Sequence, residues 1–219
     1  MDEIFRTIVV YALPVIFAIT LHEAAHAYAA KYFGDSTAFL AGRMSVDPFR
    51  HIDLFGTILM PLLLYWMSNG MFVFGYAKPV PIEFGKLRNP KKHMAWVALA
   101  GPMANFAMSF AWLVLRMVAL ALTGPEGFVH EVAVAGIRTN LLMFAFNLVP
   151  IPPLDGGRVL TSMLPNRLAY KFSRIEPYGM MIVIVLIFTR MLNLFVGPLM
   201  SAAYWAIGMM ASPLTYLLS

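Results

Sequence analysis

Several apolar runs in this chain of 219 residues are long enough to cross a lipid bilayer, which takes about 20 residues of helix. Only 12% of the residues are charged, too few to cover the surface of a soluble domain, which carries about a quarter. Backbone polar groups in lipid need internal partners, so such runs fold as helices. The sequence therefore predicts an all-α polytopic membrane protein whose main apolar runs are 4–33, 94–122, 131–149, 178–196 and 198–218.

Charge and cysteine content narrow the class of protein further. The chain contains no cysteine, which excludes disulfides and thiolate metal ligands. Its net charge of +5 is expected to reflect basic loops facing anionic lipid on the cytoplasmic side. No basic face with interleaved aromatic residues is evident, so nucleic acid is not an expected partner. The expected surroundings are the lipid bilayer, and the oligomeric state stays open.

Three ionisable side chains lie close together in the C-terminal half of the first apolar run, in the order His22-Glu23-Ala24-Ala25-His26. Side chains four residues apart share one helix face, about 6 Å apart along the axis, so both imidazoles can bind one zinc ion. Glu23 lies beside that face, where it can accept a proton from the attacking water and deliver it to the leaving amine. This short pattern also arises by chance. Ionisable groups at membrane depth are costly, however, which favours a metal site.

A catalytic zinc site of this kind needs a third protein ligand and an open position. Asp155 follows an apolar run and a segment with three prolines in four residues, which must unwind the helix. Non-helical backbone at membrane depth is tolerated where it lines a cavity or is buried in protein. Gly156 and Gly157 would let another chain approach the backbone closely. Asp155 is therefore the preferred third ligand, although an ordinary helix-ending turn is the alternative interpretation of this segment. The other acidic candidates lie in loops or at span ends, and they are Glu83, Glu126, Glu131 and Glu176.

These two motifs together resemble the paired motifs of the site-2 proteases, peptidase family M50. The first is His22–His26, and the second runs from Asn147 through the prolines to Gly157. The segment 100–106 resembles the family's intervening span, and the stretch from Gly42-Arg43 to Gly56-Thr57 resembles its compact bacterial and archaeal members. The resemblance covers roughly residues 15–165, and two separated motifs in the right order make it specific.

The resemblance implies an intramembrane zinc endopeptidase that cuts peptide bonds within or near transmembrane segments of other proteins. It implies one Zn²⁺ per chain, with His22, His26 and Asp155 as ligands and Glu23 as general base. Asn147 and Asn105 are implied as polar groups near the substrate or the active water. The implied substrates are transmembrane proteins, and the implied location is the cytoplasmic membrane.

The domain organisation expected from the sequence is a single domain over residues 1–219. Its motif-bearing core is expected at about 4–165, with accessory C-terminal spans at about 178–218, joined by a tight turn at Gly197-Pro198. Some members of the family carry a span before the first motif and a PDZ domain, for which this chain has no room. Regulation through such a domain is therefore not implied.

The two motifs lie toward the C-terminal ends of their runs, so those runs must point the same way to share one metal ion. Full crossings by both 54–77 and 94–122 would place the motifs at opposite membrane surfaces. We therefore predict a re-entrant hairpin at 54–77, preceded by short extended segments within 35–53, and about five to six transmembrane helices overall. The distribution of Lys and Arg agrees with this arrangement. It places the N-terminus outside and the metal site nearer the cytoplasmic face.

Two functions of other classes compete with the protease interpretation. A metal-ion transporter could use His22, His26 and Asp155 as a transit site, but related half-repeats typical of many transporters are not found. An inactive membrane scaffold would not need all four predicted catalytic positions, which are present. The remaining histidines are expected to be interfacial polar groups, because a catalytic zinc needs only three protein ligands, and they are His51, His93 and His130.

Overall fold

The computed structural model describes residues 2–51 and 78–218, together with the single positions 53, 56, 59, 63 and 66. This described part is mainly helical and contains no β-strand. Two single 3₁₀ turns lie at Pro48–Arg50 and Phe84–Lys86. The α-helices are α1 (Asp2–Tyr32), α2 (Thr37–Leu40), α3 (Pro90–Thr123), α4 (Phe128–Asn147), α5 (Asp155–Met163), α6 (Asn166–Ser173), α7 (Glu176–Phe188) and α8 (Asn193–Leu218).

Four of these helices, α1, α3, α4 and α8, are long and apolar enough to cross a membrane. The apolar helix α7 has 13 residues, or about 20 Å at 1.5 Å per residue, which is less than the hydrocarbon thickness of about 30 Å. The prediction of an all-helical chain with several apolar helices long enough to span a membrane is confirmed for the described residues. The expected count of five to six spans is not confirmed, since four helices of the described part qualify as membrane spans. The re-entrant hairpin predicted at 54–77 lies outside the described residues, apart from four isolated positions.

Two local predictions are wrong. The part of 35–53 that the structure describes contains α2 and the Pro48–Arg50 turn instead of extended segments, and the carboxylate of Asp47 accepts the N–H of Phe49 at the start of that turn. A short run of alternating polarity does not separate strands from single helical turns.

The second error concerns the predicted turn at Gly197-Pro198, which lies inside α8. The chain turns earlier, where the N–H of Leu192 reaches back to the carbonyl of Leu186 at 3.1 Å. Arg190 adopts the left-handed conformation there, with φ of 59°. Proline is tolerated inside membrane-spanning helices because neighbouring groups satisfy the carbonyl it leaves unpaired.

Helices α1 and α4 point in the same direction. Near their starts, the Arg6 guanidinium forms an ion pair with the Glu131 carboxylate. Helix α3 runs antiparallel to them, since its Trp112 packs against a buried cluster that includes Val10 of α1, whereas its Val97 lies beside the C-terminal half of α1. The C-terminal helix α8 packs on α3 and α4 through a buried apolar cluster of Leu113, Ile137, Leu141, Ala203, Ile207 and Ala211.

Asp35 ties the segment before α3 to the end of α1. Its side chain is fully buried, and its two oxygens accept the backbone N–H of Thr37 at 2.9 Å and of Glu83 at 2.6 Å. The N–H of Arg88 also donates to the carbonyl of Phe33 at 3.0 Å. The chain therefore enters α3 at the same end of the helix bundle at which it leaves α1, as the shared direction of α1 and α4 requires.

Substituting Asp35→Asn is expected to loosen this attachment. An amide offers one acceptor oxygen, so one of the two N–H groups from Thr37 and Glu83 loses its partner, at a cost of about 1–3 kcal/mol. Hydrogen exchange of the amides in 78–89 should accelerate. In the control Asp47→Asn, the replaced carboxylate also accepts an N–H but is half exposed, so the change should be small. Equal exchange rates in 78–89 for both variants would contradict the assignment.

The same carboxylate predicts a pH dependence of stability. Burial raises the pKa of Asp35, but the hydrogen bonds from Thr37 and Glu83 outweigh burial and hold the pKa below its ordinary value. The folded-state pKa is thus below the unfolded one, so the contribution is complete above about pH 4 and is lost as the pH falls through the folded-state pKa. Thermal unfolding in detergent should show the gap between wild type and Asp35→Asn narrowing below about pH 4.

Candidate metal centre

His22, His26 and Asp155, here named the triad, lie together inside the helix bundle. The Nε2 atoms of the two histidines are 3.0 Å apart, and Asp155 Oδ2 lies 3.1 Å from the Nε2 of His22 and 3.3 Å from that of His26. All three side chains are buried. Within the described residues, the triad is the one set of three His, Cys, Asp or Glu side chains placed to hold a metal ion.

The break between α4 and α5 brings Asp155 to the two histidines. Helix α4 ends at Asn147 and α5 begins at Asp155, so the proline-rich segment between them is non-helical, as the sequence predicted. A Cβ at Gly156 would overlap the carbonyl of Leu148, and one at Gly157 would overlap the backbone of Pro152. The close approach expected at these glycines is therefore made by the chain's own preceding segment. As the first residue of α5, the Asp155 carboxylate also lies at the positive end of the helix dipole.

A buried amide network orients His22. Its Nδ1 lies 2.6 Å from Asn105 Oδ1, while Asn105 Nδ2 donates to the carbonyl of Ala18 at 3.0 Å and to Asn140 Oδ1 at 3.1 Å. Because the Asn105 amide nitrogen makes both of these donations, the amide oxygen is the end that faces the imidazole. In a neutral imidazole, Nδ1 then carries the proton and Nε2 carries a lone pair directed toward Asp155.

His26 is oriented in the same sense by a backbone group. Its Nδ1 lies 2.7 Å from the carbonyl oxygen of Val97, so in the neutral ring Nε2 again carries the lone pair. Two lone pairs and one carboxylate oxygen therefore face one another, and Asp155 Oδ2 is buried without a hydrogen-bond partner. Such a set of donors repels itself unless a cation lies between them. Tetrahedral zinc sites place their ligand atoms about 3.3 Å apart, so the triad fits zinc.

Gly101 of α3 keeps the space beside the imidazoles open. A Cβ at this position would lie 2.6 Å from Nε2 of His22 and closer still to Nε2 of His26. Real side-chain atoms do not approach a ring nitrogen that closely, so any larger residue would occupy the space that a metal ion needs next to the two nitrogens.

Glu23 is half-buried, and the segment that precedes α3 holds its carboxylate. Glu23 Oε2 accepts the N–H of Val80 at 2.8 Å. Val80 is itself buried, in an apolar cluster with Ala27 and Ala38. The other oxygen, Oε1, has no hydrogen-bond partner among the described residues. The carboxylate is thus fixed in orientation through one oxygen, while the second can accept a proton.

The two asparagines predicted from the sequence lie in different surroundings. Asn105 contacts the Nδ1 side of His22, away from Asp155, so it orients the imidazole. Asn147 donates to the carbonyl of Met143 in its own helix at 3.1 Å, and its expected place near the substrate or water stays a prediction.

The three other histidines are not part of the triad. His51 is buried, with Nε2 2.8 Å from the carbonyl of Ser45, and His93 accepts the N–H of Asn89 at 3.0 Å. His130 belongs to the first turn of α4, at the opposite end of that helix from the break that precedes Asp155.

Four positions of the site were missed by reasoning from the sequence. Asn140 carried a usable signal, because a polar amide inside an apolar run must find a partner. Gly101 lies in the segment 100–106, but its contact with the imidazoles depends on how α1 and α3 pack. Val97 and Val80 act through backbone carbonyl and N–H groups, which no side-chain pattern reveals.

Comparisons with known proteins were consistent with this geometry. The model of peptidase family M50 matches residues 116–190, which include Asp155. Several relatives carry the name "putative zinc metalloprotease". YwhC of Bacillus subtilis is 34% identical over 199 residues, covering 87% of this chain and 85% of YwhC. Rip2 of Mycolicibacterium smegmatis is 29% identical over 185 residues, covering 81% of this chain and 66% of Rip2.

The third relative, MJ0611 of Methanocaldococcus jannaschii, is 36% identical over 64 residues, which are 29% of this chain and 31% of MJ0611. No solved structure matches the chain. The match to YwhC extends over most of both chains, and the family model includes the segment that delivers Asp155 to the two histidines. The chain belongs to peptidase family M50, the site-2 protease family of zinc metalloproteases.

Proposed function

We propose that this protein is an intramembrane zinc endopeptidase that hydrolyses peptide bonds within or near transmembrane segments of other proteins. The observation that carries the proposal is the convergence of His22 Nε2, His26 Nε2 and Asp155 Oδ2 within 3.3 Å of one another in a bundle of apolar helices. Membership of family M50 supports peptidase chemistry. The position of the triad among membrane-spanning helices supports a reaction inside the bilayer.

The triad would hold one zinc ion per chain. Two neutral imidazoles and one carboxylate, with a fourth position open, form a donor set of the kind found in catalytic zinc sites. Zinc bound there supplies Lewis-acid chemistry, polarising the scissile carbonyl and lowering the pKa of the attacking water.

The protein's own residues carry the proton transfers and the positioning. Glu23 accepts the proton of the attacking water and later delivers it to the nitrogen of the leaving segment. The N–H of Val80 holds the Glu23 carboxylate in place for both steps. Asn105 and the carbonyl of Val97 keep the imidazoles of the two histidines facing Asp155, which is the usual role of groups that contact the far side of metal-binding histidines.

The substrate must unwind locally, because an intact transmembrane helix hides its amides in its own hydrogen bonds. Water can approach from the end of the bundle that carries the basic segments 78–93 and 158–174. A cavity of about 550 Å³ there is lined by Val80, beside Glu23, and by Pro152, in the break before Asp155. We infer a cytoplasmic membrane location with the triad nearer the cytoplasmic face and the N-terminus outside, as the positive-inside rule favours.

Metal removal tests the proposal directly. Purified protein in detergent is expected to contain about one zinc per chain and to cut a model transmembrane substrate. A zinc chelator should stop cleavage, and added zinc should restore it. Asp155→Asn replaces an anionic ligand by a neutral amide, so zinc affinity should fall by at least about 100-fold, whereas the exposed-site control Asp47→Asn should bind zinc like wild type.

Three results would contradict the proposal and separate the alternatives. Cleavage by zinc-free protein would rule out the metal mechanism. Zinc binding without cleavage, but with zinc movement across vesicle membranes, would favour the transporter. Zinc binding with neither activity would favour a scaffold.

A further inference from the structure

A second cavity, of about 920 Å³, lies between α3, α4 and α8 and is lined by two arginines. Arg116 extends from α3 and Arg138 from α4, and Tyr204 and Trp205 of α8 line the same cavity. Most of the remaining wall is apolar, and the lining residues include no Asp or Glu. We name this space the arginine cavity.

The arginine cavity is separate from the triad, none of whose residues line it. Along α3, Arg116 lies about 16 Å from Asn105, which contacts His22, at 1.5 Å per residue. The cavity is therefore displaced toward the opposite membrane surface, and the proton and metal chemistry proposed for the triad does not involve its arginines.

Both arginines lie inside predicted membrane spans. Arg138 is near the middle of the 20-residue helix α4, and Arg116 is about 10 Å from Thr123, the last residue of α3. A charged side chain at such a depth is costly and is usually compensated by a partner or by water.

Among the described residues, neither guanidinium has an ion pair or a hydrogen bond. The Nε of Arg116 is buried and has no partner. Arg6, another arginine in a membrane-spanning helix, differs from these two because its guanidinium is paired with the Glu131 carboxylate. Two positive charges in the arginine cavity thus lack an anion from the described protein.

We propose that the arginine cavity binds an anionic phospholipid, with the phosphate contacting Arg116 and Arg138 and an acyl chain lying on the apolar wall. Guanidinium groups bind phosphate oxygens through two parallel N–H donors, so one phosphate can give both arginines an anionic partner. Tyr204 and Trp205 add hydroxyl and indole N–H donors of the kind enriched where protein meets lipid headgroups.

The apolar wall identifies the source of the phosphate. Ile137, Leu141, Met200 and Met209 line the same space as the arginines, so a ligand that fills it needs a hydrocarbon portion as well as a negative charge. A free anion would have to be desolvated and would leave this apolar surface uncovered. A phospholipid offers both parts in one molecule.

Native mass spectrometry of the detergent-purified protein tests the proposal with phosphatidylglycerol, which is anionic, and phosphatidylcholine, which is zwitterionic. Both lipids carry the phosphate, but the choline cation of phosphatidylcholine would lie near two arginines, so wild type is expected to retain phosphatidylglycerol with about tenfold higher apparent affinity. The double variant Arg116→Gln with Arg138→Gln should lose this preference. The control Arg167→Gln with Arg174→Gln removes two exposed charges elsewhere and should keep it.

Equal retention of both lipids by wild type would overturn the proposal without any variant. An undiminished preference in the Arg116 and Arg138 double variant would also overturn it. If an excess of inorganic phosphate displaced the lipid, the cavity would be a site for free anions and the lipid assignment would be wrong. Replacing both arginines by lysine keeps the charges, so a partial preference in that variant would support contact with the phosphate.

Discussion

Glu23→Gln is expected to keep about one zinc ion per chain and to lose cleavage of a transmembrane substrate by about 10²–10⁴-fold, the usual contribution of a general base. The substitution leaves all three triad side chains in place. A glutamine oxygen can still accept the N–H of Val80, so the segment before α3 keeps its contact with α1. The amide cannot take a proton from the attacking water. Metal content and cleavage, measured on the same preparation, check both halves of this expectation.

The matched control is Glu83→Gln, which removes a negative charge from an exposed side chain paired with Lys86. This variant should bind zinc and cleave like wild type. Wild-type cleavage by Glu23→Gln would exclude Glu23 as the general base. Loss of zinc in Glu23→Gln would instead show that the carboxylate supports the metal site itself.

Gly101→Ala is expected to weaken zinc binding strongly, and cleavage with it, while leaving the helix bundle folded. The added methyl group would lie 2.6 Å from Nε2 of His22 and closer to Nε2 of His26, in the space beside the two donor atoms. Overpacking of this kind costs up to about 3 kcal/mol, which corresponds to zinc binding weakened by about 100-fold. Alanine favours helix over glycine, so α3 itself is not weakened. Zinc titration and cleavage of the model substrate measure the effect.

Gly197→Ala provides the matched control for this substitution. Gly197 lies in α8, and a Cβ there would meet nothing within 4 Å. The control should bind zinc with wild-type affinity. If Gly101→Ala did so as well, the metal ion would not occupy the space between α3 and the two imidazoles. The Gly101 and Glu23 variants together separate the two roles, since the first should lose metal and activity and the second only activity.

Much of the site could be predicted because its side chains are ionisable and lie within or next to apolar runs of the sequence. Ionisable groups inside apolar runs are costly, so His22, Glu23 and His26 stand out in the first span, as does Asp155 after the prolines. The structure brings the two histidines and Asp155 within 3.3 Å of one another. Their roles as zinc ligands, and that of Glu23 as base, remain proposals for the experiments above.

The errors in the fold predictions have a common origin in short segments. An alternation over a few residues within 35–53 was compatible with strands or helical turns, and tertiary contacts selected helical turns. Gly197-Pro198 is a typical turn pair, yet the chain turns near Arg190 and runs through Pro198 as helix. In both cases a local pattern of a few residues was weaker than the packing of the surrounding helices.

The sequence by itself determined that this protein is a multi-pass helical membrane protein of family M50, and which side chains are candidates for a metal site. Composition and apolar run length determine the first of these properties, and two separated motifs, His22–His26 and Asn147–Gly157, carry the family resemblance and the candidate ligands. Only the tertiary structure decided how the imidazoles are held, because the groups that hold them are the amide of Asn105, the carbonyl of Val97 and the missing side chain of Gly101. All three come from α3, far from the histidines in sequence, and backbone groups or absent side chains act only where helix packing places them.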